Sequence, residues 1–459
     1  MSELAYKRTN VYEKADEKLL KEIFAYAEGY KTFVDEGKTE REACAFAKAE
    51  AIKNGYKPFQ FGQKLKAGDK VYYDNRGKNL YLIKVGTANV AEDGIRILAS
   101  HIDSPRIDFK QVPLYEAEGI GFAKTHYYGG IRKYQWAAVP LALHGAVALK
   151  SGKVIDVKIG EDENDPVFYI SDLLPHLAAK QNAKPLGEGL GGEDLNVWLG
   201  NIPYTAASDD KDKTVKENLL RILNEKYGMD ESDFLSAELS VVPAYKAKDI
   251  GLDRALLGAY GHDDRVCSYP AFTALFDEAD SEHTAMVILA DKEEIGSEGT
   301  TGMQCVLFTD LIDEIARSFG VSSAAIRANS KCLSADVNAA YDPNFRDVSE
   351  PLNSAYVSCG AGITKFTGSR GKGGSNDADA EFIGWLRKTF DENGVIWQTG
   401  EMGKVDVGGG GTVAKYIAKM NVDVIDLGVP VISMHAPYEV VSKTDVYMTH
   451  KAIEAFFKA

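Results

Sequence analysis

The most informative stretch of the chain is Met286-Val-Ile-Leu-Ala-Asp-Lys-Glu-Glu-Ile-Gly-Ser-Glu-Gly299. Its first five residues form a continuous apolar run, which is typical of a strand buried on both faces of an α/β sheet. Glu293 and Glu294 follow, and adjacent carboxylates beside a buried strand are costly unless a positive group neutralises them. In an extended chain their side chains would point to opposite sides, so one could bind a metal ion while the other faces a water or a substrate. For the pair taken alone, a solvated loop is the alternative.

Other apolar segments lead into similar residues. The predicted strand 96–100 precedes His101 and Asp103, which lie on the same side of an extended segment. Asp103 could therefore hold the imidazole of a metal-bound His101 in one tautomer. A structural histidine beside a surface acid explains this local pattern equally well. The remaining candidates are Asp263 before the predicted helix 266–276, where helix capping is the alternative, Asp336 after the run 332–335, and His435 after the run 431–434.

Together these side chains predict a metal centre. Open α/β sheets place their sites at the carboxyl ends of strands, so the candidates are expected to meet at one edge. Two histidines and several carboxylates are the usual ligands of a two-metal hydrolytic site, where a bridging carboxylate holds both ions. Zinc accepts this ligand set, and manganese or cobalt could substitute. The chain contains neither HExxH nor G-x-S-x-G, which excludes a thermolysin-like site and the usual serine-hydrolase elbow. A scaffold protein with scattered acids is the non-enzyme alternative.

Composition and charge exclude other classes of protein. The 459 residues are 45% hydrophobic and 26% charged, as in a soluble globular protein of two or three domains. The net charge of -15 argues against binding to nucleic acid or to anionic membrane surfaces. The five cysteines form no CxxC pair, which favours free thiols and a cytoplasmic location. No signal peptide is predicted, and the longest apolar stretch, 136–149, is too short and interrupted to span a membrane.

The pattern of predicted secondary structure changes between residues 105 and 251. Short strand-like runs dominate there, and helices are predicted only at 171–181 and 215–227. The expected fold class is therefore α/β, with a mixed β-sheet flanked by helices and an inserted, mostly-β domain. In this interpretation residues 1–104 and 252–459 form the catalytic domain, and residues 105–251 form the insert.

Five motifs carry a resemblance to a known family. The chain resembles the M18 metalloaminopeptidases, the aspartyl-aminopeptidase family, and the matching motifs occur in family order over most of the chain. The resemblance implies a zinc-peptidase-like catalytic domain, an inserted β-rich dimerisation domain, and hydrolysis of the N-terminal residue from peptides. The motifs are His101-Ile-Asp-Ser-Pro105, Asp263-Asp-Arg265, Asp291-Lys-Glu-Glu-Ile-Gly-Ser-Glu298, Ser334-Ala-Asp336 and Ser433-Met-His435.

The same resemblance implies a ligand set for two divalent metal ions, most simply zinc. His101 and Asp336 would hold one ion. Glu294 and His435 would hold the other, and Asp263 would bridge the two. The ligand pattern alone leaves a related two-metal carboxypeptidase or deacylase as the runner-up.

Further roles are implied for residues around the metals. Asp103 would orient His101, and Glu293 would be the general base. His176, in Pro175-His-Leu-Ala178, would reach the active site of a neighbouring subunit, whereas an ordinary surface histidine is the alternative. The family assembles as dodecamers built from dimers, so a homo-oligomer acting on peptide substrates is expected.

A basic, glycine-rich segment bears on the substrate preference. The family name suggests N-terminal Asp or Glu, and an acidic side chain needs a fixed cation in the first pocket. The glycine-rich segment 364–372 carries Lys365, Arg370 and Lys372 and could form the rim of that pocket. A solvated surface loop is the alternative.

Overall fold

The computed structural model describes residues 4–206, 209, 211, 213–277 and 282–459. Contacts between residues divide the chain into two compact units. The first comprises Met1–Ser104, Ala247–Met434 and Glu439–Ala459, and the second comprises Pro105–Lys246 and His435–Tyr438. Helices and strands occur throughout, and the predicted mixed α/β class is confirmed.

The helices differ widely in length, from four residues to twenty. Thr39 caps the second helix, because its side chain accepts the backbone N–H of Glu42 while the Glu42 carboxylate accepts the N–H of Thr39. No described helix combines the length and the apolarity that a membrane crossing needs. In chain order the helices are α1 (Glu17–Glu36), α2 (Glu40–Lys53), α3 (Val90–Asp93), α4 (Ala179–Asn182), α5 (Val215–Tyr227), α6 (His262–Asp277), α7 (Leu307–Phe319), α8 (Ser323–Asn329), α9 (Ala380–Glu392), α10 (Ala414–Ala418) and α11 (Lys443–Lys458).

The strands range from two-residue pairings to the twelve-residue β5. They are β1 (Lys57–Pro58), β2 (Lys70–Asn75), β3 (Asn79–Lys84), β4 (Ile95–His101), β5 (Arg106–Ala117), β6 (Ile120–Tyr128), β7 (Leu141–Ala148), β8 (Val154–Ile159), β9 (Tyr169–Ile170), β10 (Val197–Gly200), β11 (Ala237–Pro243), β12 (Lys248–Ile250), β13 (Leu256–Ala259), β14 (Thr284–Ala290), β15 (Lys331–Ala335), β16 (Asn338–Ala339), β17 (Ala361–Thr364), β18 (Gly368–Ser369), β19 (Trp397–Thr399), β20 (Gly409–Gly410), β21 (Asp423–Gly428), β22 (Pro430–Ile432) and β23 (Glu439–Ser442).

The first unit is built on a nine-stranded mixed sheet of order β1-β2-β3-β14-β4-β15-β21-β17-β19. Strand β14 is buried along its whole length, which confirms the prediction from its apolar run. It pairs in parallel with β4, which in turn pairs in parallel with β15. Apolar side chains form a core on each side of this sheet. The carboxyl ends of the three central strands therefore meet at one edge.

A smaller sheet of order β12-β13-β23-β22-β16 completes the frame of the first unit. Strands β13 and β23 run antiparallel, and Ala259 lies directly opposite Glu439. Asp263 follows Ala259 by four residues, at the start of α6. This register brings the first residue of β23 close to the turn that carries Asp263.

The second unit contains a seven-stranded sheet of order β8-β7-β11-β5-β6-β10-β9, in which every pairing is antiparallel. Helix α5 has the predicted bounds. The predicted helix 171–181 is wrong, since only a 3₁₀ turn at Pro175–Leu177 and the short α4 form there. The physical reason is Pro175, because the residue before a proline is biased towards extended backbone and Leu174 has ψ 148°.

Candidate metal centre

Three parallel strands deliver the first candidate ligands to one edge of the sheet. His101 is the last residue of β4, Glu293 and Glu294 lie just beyond β14, and Asp336 follows β15 directly. Because β14 and β15 flank β4, the acids stand on both sides of the histidine. The sheet topology thus brings together side chains that are far apart in sequence, as expected at the carboxyl ends of parallel strands.

The two glutamates lie on a tight turn, and the predicted extended backbone at this point is wrong. Glu293–Ile295 is a 3₁₀ turn, entered through Lys292 in the left-handed conformation with φ 70°. The carboxylate of Asp103 accepts the backbone N–H of Glu293 at 3.1 Å and that of Glu294 at 3.2 Å. Two orphan donors at the start of the turn are satisfied by one buried acid, which stabilises the turn over an extended strand.

Asp103 also contacts the ring of His101. The Nδ1 atom of His101 lies 3.0 Å from the backbone oxygen of Asp103 and 3.3 Å from its Oδ1. On the other side of the ring, Nε2 lies 3.2 Å from Oδ1 of Asp263. With Nδ1 held by Asp103, Nε2 is the atom that would contact a cation shared with Asp263.

More carboxylates surround the same ring nitrogen. Nε2 of His101 lies 3.9 Å from Oδ1 of Asp336 and 4.0 Å from Oε2 of Glu293. The side chain of His101 is 1% exposed, whereas that of Glu293 is 17% exposed, so Glu293 has the freer access to solvent. Potential ligand atoms lie within 4.8 Å of one another in three groups, which are His101, Glu293 and Asp336; His101, Asp263 and Glu294; and Asp263, Asp264 and Asp336. One imidazole nitrogen among carboxylate oxygens is a donor set that fits zinc and similar divalent ions.

The electrostatics of the cluster favour a bound positive charge. Burial raises the pKa of Asp336 well above its usual value, and repulsion from Asp264 acts in the same direction. Burial likewise raises the pKa of Asp264, and the neighbouring Asp263 adds to the effect. Burial disfavours the His101 imidazolium, but hydrogen bonds with Asp103 and Asp263 outweigh it and raise the pKa of His101. Acids this crowded attract protons, and a divalent cation would relieve the same repulsion.

Asp264 also belongs to the cluster, although no local pattern predicts a role for it. Asp263 and Asp264 have φ and ψ angles outside the helical region, so the regular part of α6 begins after them. Oδ2 of Asp264 accepts the backbone N–H of His101 at 3.3 Å. Its position beside Asp263, at the start of an apolar helix, was the available signal, but helix capping explained that signal equally well.

Two further histidines are predicted as site residues, His176 and His435, and both belong to the second unit. His176 is exposed on the turn Pro175–Leu177. His435 is half-buried with φ 66°, and its Nδ1 lies 2.8 Å from the carbonyl oxygen of Gly130. Nδ1–H donates to that carbonyl, which leaves Nε2 with the lone pair that a metal ligand needs. The role of His435 as a metal ligand and the role of His176 in a neighbouring active site stay predictions.

Comparison with known proteins identifies the family. The family described as "Aminopeptidase I zinc metalloprotease (M18)" matches residues 33–457. The chain belongs to the M18 aminopeptidase family. A probable M18 family aminopeptidase 1 from Clostridium acetobutylicum is 47% identical over 455 residues, which cover 97% of each chain. The crystal structure of an M18 aminopeptidase from Thermotoga maritima has a TM-score of 0.94 at 40% identity and covers 99% of this chain and 100% of that chain.

A solved structure of lower sequence identity has a similar fold. The structure of an aminopeptidase dodecamer from Saccharomyces cerevisiae has a TM-score of 0.76 at 23% identity and covers 94% of this chain and 96% of that chain. At this identity the similarity shows the fold alone. Membership of the M18 family confirms the predicted metal-dependent aminopeptidase activity and disfavours the scaffold, carboxypeptidase and deacylase alternatives.

Proposed function

We propose that this M18 aminopeptidase uses two divalent metal ions, zinc by preference, at the carboxyl edge of the nine-stranded sheet. The overlap of the three ligand groups carries this proposal, because His101, Asp263 and Asp336 each belong to two of them. Overlapping groups are what a pair of ions with a bridging carboxylate requires. In the proposed arrangement His101 and Asp336 would hold one ion, and Asp263 would be shared with the second.

Glu294 and His435 are proposed as the remaining ligands of the second ion. Glu294 shares a ligand group with His101 and Asp263. For His435 the support is the contact between its Nδ1 and the carbonyl oxygen of Gly130, which presents Nε2 as the coordinating atom.

Glu293 is proposed as the general base. When bound, the metal ions would polarise the scissile carbonyl and make the attacking water more acidic. Glu293 takes a proton from that water as oxygen attacks the carbonyl carbon, and it gives the proton to the leaving amine as the C–N bond breaks. The partial exposure of Glu293 allows a water and a substrate to reach its carboxylate. Asp103 keeps Glu293 in place through the backbone N–H and orients His101.

The second unit is proposed to form the dimer contact of a homo-oligomer. Its segment 173–177 exposes Leu173, Leu174 and Leu177, which are 51%, 51% and 68% exposed, around His176. Apolar side chains clustered at a surface favour burial by another subunit. The dodecameric assembly of the yeast protein supports a homo-oligomer. In the proposed homo-oligomer of this chain, His176 would reach the active site of a neighbouring subunit. There it would stabilise the oxyanion that develops on the substrate's carbonyl oxygen.

A preference for acidic N-terminal residues is the finer proposal about substrate. The segment 364–372 begins beside the exit of β15, where Oγ1 of Thr364 donates to Oδ1 of Asn338 at 2.9 Å. Two of its cations already share one acid, because Asp377 pairs with Lys365 at 2.6 Å and with Lys372 at 3.1 Å. A pocket that recognises acidic side chains would therefore use Arg370, or Lys365 released from Asp377.

A cytoplasmic location is proposed from the thiols. All five cysteines are free in the structure, and four of them are buried. Free buried thiols are typical of a reducing compartment.

The experiment that tests the proposed function measures metal content and specificity together. Purified protein is expected to hold two zinc equivalents per chain and to cleave a dipeptide with a free N-terminus, but not the same peptide after N-acetylation. Equal cleavage of both peptides, or full activity after the metal has been removed by a chelator, would contradict it.

A further inference from the structure

Both peptide groups that flank Asp263 are held by buried side chains. The Oε2 atom of Glu439 accepts the backbone N–H of Asp263 at 3.1 Å. The hydroxyl of Ser104 donates to the backbone carbonyl of Asp263 at 2.5 Å. Glu439 is 1% exposed and Ser104 is 0% exposed, so water does not compete for either hydrogen bond.

The two side chains come from segments that are far apart in sequence and meet only in the folded protein. Ser104 follows β4, the strand that ends in His101, whereas Glu439 is the first residue of β23. The pairing of Glu439 with Ala259 aims the glutamate at the turn between β13 and α6. Asp263 is thereby fixed relative to both the large sheet and the small sheet.

The burial of Glu439 indicates that its carboxylate needs hydrogen-bond partners inside the protein. A buried carboxylate is costly to desolvate unless hydrogen bonds compensate. A charged acceptor makes the bond to the Asp263 N–H stronger than a neutral acceptor would. The strength of this bond matters at Asp263 because α6 is irregular there, and its own helical hydrogen bonds do not set the direction of the side chain.

We propose that Glu439 and Ser104 form a positioning pair that aims the Asp263 carboxylate at Nε2 of His101 and thereby sets the metal affinity of the site. The inference rests on the proposed function, in which Asp263 is the bridging ligand. Loss of either hydrogen bond frees one peptide plane of Asp263 to rotate. Outer residues that orient metal ligands typically change metal affinity or activity by about 10–100-fold when they are removed.

The test titrates metal-free protein with Zn²⁺ against a chromophoric chelator and measures kcat and KM on a free dipeptide. Glu439→Ala is expected to weaken zinc binding and to lower kcat/KM by about 10–100-fold. Glu439→Gln keeps a carbonyl acceptor and is expected to restore most of both. Ser104→Ala is expected to act in the same direction, and Ser104→Thr, which keeps the hydroxyl, is expected to restore binding.

Matched controls separate positioning from general stability. Glu314 on α7 is also buried and accepts a backbone N–H, that of Gly62 at 3.0 Å. Ser330 is a fully buried serine whose hydroxyl donates to the carbonyl of Ile326 at 2.7 Å. Glu314→Ala and Ser330→Ala are expected to lower the melting temperature while leaving zinc affinity unchanged.

Several outcomes overturn the proposal. One is zinc affinity in Glu439→Ala and Ser104→Ala that equals that of the control variants. Another is a Glu439→Gln protein that binds zinc no better than Glu439→Ala, because the glutamine still offers a carbonyl oxygen to the Asp263 N–H. If Glu439→Ala does not fold, Ser104→Ala and Glu439→Gln decide by the same criteria. A wild-type protein that neither binds zinc nor cleaves the peptide would instead refute the proposed function.

Discussion

The Oδ1 atom of Asp103 lies 3.3 Å from Nδ1 of His101, and both side chains are almost completely shielded from solvent. The same carboxylate accepts the backbone N–H groups of Glu293 and Glu294, 190 and 191 residues further along the chain. One acid thus connects the end of β4 with the turn after β14. The Asp103 carboxylate therefore contacts both the histidine ring and the backbone of the glutamate turn.

Substitution of Asp103 should therefore damage the metal centre more than the fold. Asp103→Asn keeps one carbonyl oxygen but replaces the other acceptor with a donor, which opposes either His101 Nδ1–H or a backbone N–H of the turn. We expect a loss of about 10–100-fold in zinc affinity and in kcat/KM, measured by chelator competition and steady-state kinetics.

Asp233 offers a control of the same kind. It is buried and its two oxygens accept the backbone N–H groups of Lys150 and Asp230, both at 2.8 Å. Asp233→Asn should lower the melting temperature without changing zinc affinity. Equal zinc affinity in both variants would contradict the role given to Asp103.

Glu293→Gln should abolish turnover while leaving the metal in place. The amide cannot accept the proton of the attacking water, and loss of a general base typically costs about 10²–10⁴-fold in rate. Metal content by mass spectrometry and kcat on a free dipeptide measure the two effects. Glu298→Gln, at an exposed position on the same loop, is the control and should keep full activity.

The proposed ligands should show the opposite pattern. Glu294→Ala and His435→Ala each remove a donor atom from the second ion, so both should lower the metal content. Full stoichiometric metal in both variants would show that this part of the ligand set is wrong.

His176 should act across a subunit boundary. Mixing His176→Ala subunits with Glu293→Gln subunits under reassembly conditions should restore some activity, because a mixed contact can pair an intact His176 with an intact Glu293. Activity of the verified mixed oligomer is compared with that of each parent. His126→Ala, at another exposed histidine of the second unit, should remain active by itself. A mixed oligomer as inactive as its parents would argue for an ordinary surface histidine.

The charge of the segment 364–372 should control the preference for acidic substrates. Asp377→Asn frees Lys365 and Lys372 from their shared acid, so the ratio of kcat/KM for Asp over Ala at the N-terminus should rise. Lys365→Ala should lower that ratio, because a charge-assisted hydrogen bond contributes roughly 1.5–3 kcal/mol. Lys388→Ala, on α9 and exposed, is the control. Unchanged ratios in both loop variants would remove the acidic preference and leave the aminopeptidase activity standing.

The last helix should lose stability in acid. Burial raises the pKa of Glu454, but hydrogen bonds with Lys451 and Lys458 outweigh it and lower that pKa to about 2. A lowered folded-state pKa stabilises the fold above the ordinary value of 4.5, and this stabilisation is lost as the pH falls towards 2. The lysines are partly solvated, so we expect only about 1 kcal/mol. Denaturant titrations at pH 7 and pH 3 should give a smaller difference in Glu454→Gln than in the wild type.

An exposed pair supplies the comparison for this effect. Lys388 and Glu392 on α9 lie 3.8 Å apart and are 73% and 64% exposed. Glu392→Gln should leave the pH dependence of unfolding as it is in the wild type, since surface pairs contribute little. An equal change in both glutamine variants would contradict the assignment to Glu454.

Local patterns in the sequence were sufficient to predict the main elements of the site. The apolar run 286–290 predicts a buried strand because a short unbroken apolar run suits a strand covered on both faces, and β14 is buried throughout. Apolar runs that end in His101 and Asp336 predict ligands at the carboxyl edge for the same reason. The motifs themselves were enough to place the chain in its family.

Other features depended on contacts that no local pattern encodes. The 3₁₀ turn at Glu293–Ile295 donates a backbone N–H to the carboxylate of Asp103, and the backbone N–H of Asp263 is bound by Glu439, 176 residues away. Asp377 pairs with Lys365 and thereby changes the charge that the basic loop presents. Each of these depends on a strand order or a loop path that joins distant segments. Local sequence patterns were therefore enough to predict the strands and the types of candidate ligand. The orientation of those side chains depends on the tertiary structure, because hydrogen bonds between segments far apart in sequence form only after the sheets have assembled.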